Sequence, residues 1–328
     1  MAALFKDITS GRFTNIVVLL LSMLVITFTA FFSQRNYITI TADNFSQFFL
    51  SINENRYIST FVSFTLILIA SWMLFKLNET TTLTLNRSNL PFWFLSLFFL
   101  ANPYVDYLSQ GIIALLGMIG ILFYIFNSYM KEKSAEESFM TGVLLGIISL
   151  FWKNALLYLP FIIVGLILIR SLSFRSLLAI FIGIIAIQWT EFVYYFYYDN
   201  VEYYLNSYKT LADFNFNKEL FIVNTPNIIL WFTTFLSFIS ILISVFTNHT
   251  KVKTQQCNVV IVIGAALSMI FCYLNSSSLL CHLMILYTFI SLLLANIFTI
   301  KQSNFSIFLF VLINIASLVL YIKGLFGL

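Results

Sequence analysis

Apolar positions along the chain do not alternate with polar ones over short stretches. They come in runs near twenty residues, separated by brief polar turns. A helical run of that length matches the thickness of a bilayer's hydrocarbon core. About eleven such segments are expected, near 14–33, 58–75, 89–103, 109–128, 138–152, 155–170, 177–196, 227–247, 258–274, 279–299 and 304–322. The third and fifth are short enough to be re-entrant or buried rather than crossing. The stretch from Ser138 to Arg175 is the clearest example. Between Glu137 and Arg170 its only charge is Lys153, so it reads as a helical hairpin with a small polar turn at Trp152-Lys153-Asn154.

Two outer loops depart from the short-turn pattern. In the first, residues 33–57, Asp43 suits a helix cap, and Phe45, Phe48, Phe49 and Ile52 recur at helical spacing after it. That predicts an amphipathic helix in the membrane interface. The second, residues 197–226, follows the aromatic run FVYYFYYDNVEYY, whose tyrosines are expected to form an interfacial belt. The expected fold is therefore an all-α, polytopic transmembrane helical bundle. It forms one integral membrane domain over 1–328, with a sub-bundle over 227–328 after the second loop.

Composition supports this class. Hydrophobic residues make up 60% of the chain and charged residues 9%, against about a quarter charged in a typical soluble domain. The net charge of +4 is spread over many loops, so it speaks to topology rather than to nucleic acid. With the N-terminus inside, the inner segments hold eleven basic residues and the outer segments six. The excess favours a cytoplasmic N-terminus by the positive-inside rule. The run after Lys6 and Arg12 lacks a clear small-residue cleavage site and is expected to be a retained first span.

Candidate chemistry is sparse. Gly142 and Gly146 form a G-x-x-x-G step whose first meaning is close helix packing. Pro160 is expected to kink its span. Cys272 and Cys281 flank a short turn; two buried thiols are expected, with a disulfide as the alternative. His249 and His282 fall on opposite membrane sides and cannot share a metal, and no Walker loop, Rossmann glycine pattern or nucleophile elbow occurs.

Four ionisable residues on four segments fall near the outer face: Asp43, Asp106, Lys153 and Glu191. An ionisable group within a span is costly and is normally paired or lines a cavity. One reading pairs a carboxylate with Lys153 to lock helices and leaves Asp43 as a cap. The other is an outer-leaflet site. There, Asp43 and Asp106 supply a general base or oxygen ligands to a divalent ion, and Lys153, Glu191, Arg35 and Arg56 contact substrate, a basic side chain meeting a lipid-linked phosphate.

The run ESFMTGVLLGIISLFWKNALLYLPFIIVGLILIRSLSFRSLLAIFIGIIAIQW, with the preceding FFLANPYVDYLSQGIIALLGMIGILFYIF, resembles an uncharacterised family of polytopic inner-membrane proteins from Bacteroidetes. The resemblance covers about residues 85–200 and implies a multi-pass protein of the bacterial inner membrane without assigning it an activity. More loosely, Asp43 and Asp106 occupy the positions of the acidic residues in the outer loops of C-type-fold lipid-linked glycosyltransferases. That likeness implies a polyprenyl-phosphate-linked sugar donor and a Mg or Mn ion. Asp43 is followed by Asn44 here, which breaks the family's usual acidic pair.

Three functions stay open. The first is a non-catalytic assembly or scaffold protein of envelope biogenesis, working with other envelope proteins in the bilayer. The alternatives are a glycosyltransferase-like enzyme, with Asp43 and Asp106 catalytic, and a transporter or lipid-handling protein with Glu191 in its path.

Overall fold

A computed structural model describes residues 52–81, 83, 88–101, 108–131, 134–212, 225–246, 251–275, 278–300 and 304–326. Every regular element among them is helical: α1 (Arg56–Thr81), α2 (Leu90–Ala101), α3 (Gln110–Asn127), α4 (Ala135–Phe151), α5 (Leu159–Leu168), α6 (Phe174–Tyr197), α7 (Val201–Ser207), α8 (Thr225–Phe246), α9 (Val252–Leu274), α10 (Leu279–Ile300) and α11 (Asn304–Phe326). Short 3-10 turns run over Lys153–Tyr158 and Tyr208–Ala212. The expected segments from 58–75 onward coincide with helices, while 14–33 and most of the amphipathic segment after Asp43 lie outside the described residues.

Six of these helices, α1, α3, α6, α8, α9 and α10, are long and apolar enough to cross a membrane. Of the other five expected segments, 14–33 lies outside the described residues, α2 has 12 residues, α4 has 17 and α5 has 10, and the apolar part of α11 is limited to Ile307–Lys323. At about 1.5 Å per residue, α2 and α5 cannot span the ~30 Å hydrocarbon layer alone. The chain is an integral membrane protein by this helix content.

The core sits around α10, which packs against α2, α3, α8 and α9. Its apolar stretch is 89% buried, against 22% for α6. α10 thus packs both on α8 and α9 and on the earlier helices α2 and α3. α6 lies at the margin, packed on α4, and turns Ile182, Ile185, Trp189 and Phe196 outward. An apolar face of that kind suits lipid.

Local chemistry sets where α4, α5 and α6 begin and end. Glu136 and Glu137 occupy the first turn of α4, where the helix dipole favours negative charge. At Trp152 the backbone becomes extended, and the chain re-enters helix through the 3-10 turn. Pro160 falls in the first turn of α5, where its missing N–H breaks no helical bond. It starts a helix rather than kinking one, contrary to the sequence expectation. α5 ends with Arg170 in the left-handed region (φ 59°), Ser171 N–H donating to Leu166 O at 3.0 Å and Arg170 N–H to Ile167 O at 3.0 Å. That is a Schellman motif built without its usual glycine. Ser173 and Ser176 then cap α6 reciprocally, at 3.1 and 2.7 Å.

The two arms of the expected hairpin diverge. α4 packs on α3 and α6, whereas α5 packs on α9 and α3. Lys153–Tyr158 is consequently a fork in the bundle, with α6 on one side and α10 on the other.

Candidate functional site

Ser149 and Lys153 stand four residues apart where α4 gives way to the 3-10 turn. Gln188 and Glu191 stand three apart on α6. The second spacing puts Gln188 and Glu191 on one helix face, and that face meets the end of α4 and the turn after it. Lys153 forms an ion pair with Glu191, and each side chain is only 8% exposed. The Lys153 ammonium also donates to Gln188 Oε1 at 3.1 Å. Gln188 in turn donates through Nε2 to Ser149 Oγ and accepts from the Tyr208 hydroxyl.

Close approach of the helices makes this possible. A Cβ on Gly183 would stand 2.6 Å from the Phe139 carbonyl oxygen, and one on Gly142 would overlap the Ile180 carbonyl. A Cβ on Gly146 would stand 2.9 Å from Ile187 Cβ. The G-x-x-x-G step therefore packs α4 on α6, with Gly183 as its partner. Small residues serve this role between membrane helices, where backbones must come within reach of each other.

The segment after α6 closes the cluster. Asp199 adopts φ 54°, and Asn200 N–H donates to Tyr195 O at 2.9 Å, turning the chain back. α7 and the following turn then lay Tyr204 and Tyr208 over the Lys153 ammonium, 5.3 and 4.9 Å from their ring centroids. The two hydroxyls hydrogen-bond at 2.9 Å. Tyr204 also meets Phe192 edge-on, and Tyr203 stacks on Tyr195 at 5.7 Å. Burial pushes the Tyr208 phenol well above its ordinary pKa of 10, and the hydrogen bond with Tyr204 and the nearby charges of Tyr204 and Glu191 push the same way. At least these tyrosines cap an internal charge rather than serving only as an interfacial belt. An ammonium desolvated against aromatic faces gains on the order of 2 kcal/mol from a well-placed ring.

On the other side of the fork lies a second polar group. Tyr158 donates to Ser268 Oγ at 3.3 Å and meets His282 Nδ1 at 3.0 Å. Asn154 Nδ2 donates to Ser278 Oγ at 3.2 Å. Trp152 packs edge-on against His282, with ring centroids 4.8 Å apart. Cys257, Cys272 and Cys281 are free, buried thiols, so the disulfide alternative is not the state found.

No family model, curated protein or solved structure matches the chain. The site is read from its own geometry.

Of the residues singled out in the sequence, Lys153 and Glu191 come together. Arg56 opens α1, whose packing partners are α2 and α3 rather than the α4–α6 pair. Arg35, Asp43, Asp106 and His249 lie outside the described residues. No cluster of three or more His, Cys, Asp or Glu side chains suited to a metal occurs among the described residues. At Glu191 the residues present do not suit a Mg or Mn ion, because the carboxylate is already neutralised by an ammonium and flanked by a primary amide. Ser149, Gln188, Tyr204 and Tyr208 were not among the sequence candidates. The one signal in the sequence was the i,i+3 spacing of Gln188 and Glu191 on α6; Ser149/Lys153 and Tyr204/Tyr208 each straddle two elements.

Proposed function

We propose that this chain is a non-catalytic scaffold of the bacterial inner membrane, engaged in assembly of the cell envelope. The observation that supports it is the closed state of its one buried ion pair among the described residues. Lys153 and Glu191 neutralise each other, Gln188 and Ser149 are spent on them and on one another, and the tyrosines roof the ammonium. A site that binds substrate must leave polar groups to spend on it, whereas these are used to hold α4, the fork and α6 in register. The broad apolar flank of α6 fits a protein that works within the bilayer. The likeness of residues 85–200 to a Bacteroidetes membrane family points to the same compartment. The glycosyltransferase reading rests on Asp43 and Asp106 and draws no support from the described geometry.

The test is complementation. A host lacking the gene, scored for growth and envelope integrity, should be restored by a Lys153→Met/Glu191→Leu double variant that inserts normally. A stably inserted double variant that fails to restore the host would show that the charges themselves do chemistry or carry a solute.

A further inference from the structure

The fork's other side carries polar atoms that are not spent. Trp152, Asn154 and His282 are 4%, 3% and 0% exposed. Among the described residues, Trp152 Nε1, Asn154 Oδ1 and His282 Nε2 have no hydrogen-bond partner. Three unpaired polar atoms in one buried locality are unusual, since such groups are nearly always satisfied by protein or by ordered water.

Two contacts place their residues in one neighbourhood. Trp152 and Asn154 are two residues apart at the start of the 3-10 turn. Ser278 immediately precedes α10, and His282 lies in its first turn. The contacts from Asn154 to Ser278 and from Trp152 to His282 clamp those two short segments together. Phe271 and Tyr158 pack against the imidazole, with ring centroids 5.3 and 5.8 Å from its own.

Counting hydrogens gives each atom a role. Ser268 donates to Gly264 O at 2.8 Å, so its oxygen accepts from Tyr158. The single Tyr158 proton is thereby used, and His282 Nδ1 must be the donor to the Tyr158 oxygen. Complete burial disfavours the charged ring, so His282 is taken as the neutral Nδ1–H tautomer, which leaves a lone pair on Nε2. Asn154 Oδ1 is a second acceptor and Trp152 Nε1–H the only donor. The locality needs one molecule that donates twice, accepts once and carries no charge.

We infer that Trp152, Asn154 and His282 form an internal hydration site holding a single water, which accepts from Trp152 Nε1–H and donates to His282 Nε2 and Asn154 Oδ1. The water ties the fork to α10, the central helix, and fixes the His282 tautomer. Buried waters characteristically make about three such bonds to otherwise unsatisfied groups. The inference is independent of the scaffold reading, because it concerns the opposite side of the fork.

An experimental structure of the full-length protein resolving ordered solvent is the direct test. One solvent peak about 2.7–3.2 Å from all three atoms is expected. A dry gap, a direct Trp152–His282 hydrogen bond, or density larger than one water would overturn the inference. Thermal unfolding of Trp152→Phe, His282→Phe and the double variant supplies a second readout. A shared water predicts that the double variant's melting temperature falls no further than that of the worse single variant. Additive shifts would refute a shared bridge. Nitrogen-15 spectra should show His282 protonated at Nδ1, and an Nε2-protonated ring would also refute it.

Discussion

The two sides of the Lys153–Tyr158 fork solve the same physical problem in different ways. Both bury polar side chains among apolar helices. On the α6 side, a full charge of each sign is buried; Gln188, Tyr204 and Tyr208 contact the ammonium, and Ser149 holds Gln188. On the α10 side, three neutral polar atoms stand unpaired among the described residues, with no buried ion pair described there. The difference follows from the cost. An isolated buried charge costs several kcal/mol even after relaxation, whereas a neutral unpaired group costs about 1–3 kcal/mol and a water can satisfy it. The charged side must therefore be closed by the protein, and the neutral side need not be.

The comparison can be broken from the packing beneath it. Gly142→Leu should cost about 3 kcal/mol or more, since its side chain would drive into the Ile180 backbone and part α4 from α6. Lys153 should then become reactive to an amine-directed reagent, while Trp152 on the other side stays shielded from an aqueous fluorescence quencher. Equal exposure of both would mean that the two sides are one unit. Gly146→Leu should cost less, about 1–3 kcal/mol, because it meets the Ile187 side chain rather than backbone. Unchanged stability in detergent would count against the packing role of that glycine.

Tyr208→Phe removes one hydroxyl from the closed side and should cost about 1 kcal/mol. It should also alter pH dependence. A phenol whose folded pKa is raised contributes stability that is intact below its unfolded value near 10 and is lost as pH climbs toward the folded value. Wild-type stability should thus fall above pH 10, and the variant's should fall less steeply. A steeper fall in the variant would contradict the cap. The smallest effect is expected at Lys131→Met, which removes an ion pair to Glu137 whose lysine is 51% exposed. An exposed pair contributes about 0–1 kcal/mol, so a loss matching that of the buried pair would undo the argument from burial.

Much of the fold was legible in the chain because lipid imposes one rule, long apolar runs with satisfied backbones. Segments 109–128 and 279–299 match α3 and α10 nearly residue for residue. The fork was harder. Trp152-Lys153-Asn154 read as a turn because Lys and Asn are polar, yet Lys153 and Asn154 are buried and hydrogen-bond to residues 35 and 124 positions away. Pro160 read as a kink because a run of apolar residues hides where one helix stops and another starts. For the candidate site, Glu191 was suspicious from the cost of a carboxylate in a span. Tyr204 and Tyr208 were masked by the number of tyrosines around them, since composition cannot tell a belt from a cap.

The central claim is that Lys153 and Glu191 matter as a pair and not as separate chemical groups. A thermal-stability cycle of Lys153→Met, Glu191→Leu and the double variant in lipid nanodiscs tests it most directly. Each single change leaves one buried charge uncompensated and should cost about 3–5 kcal/mol. The double variant, with both charges gone and similar volumes kept, should return close to the wild type. Two neutral single variants, or a double variant as unstable as the sum of the singles, would contradict the account.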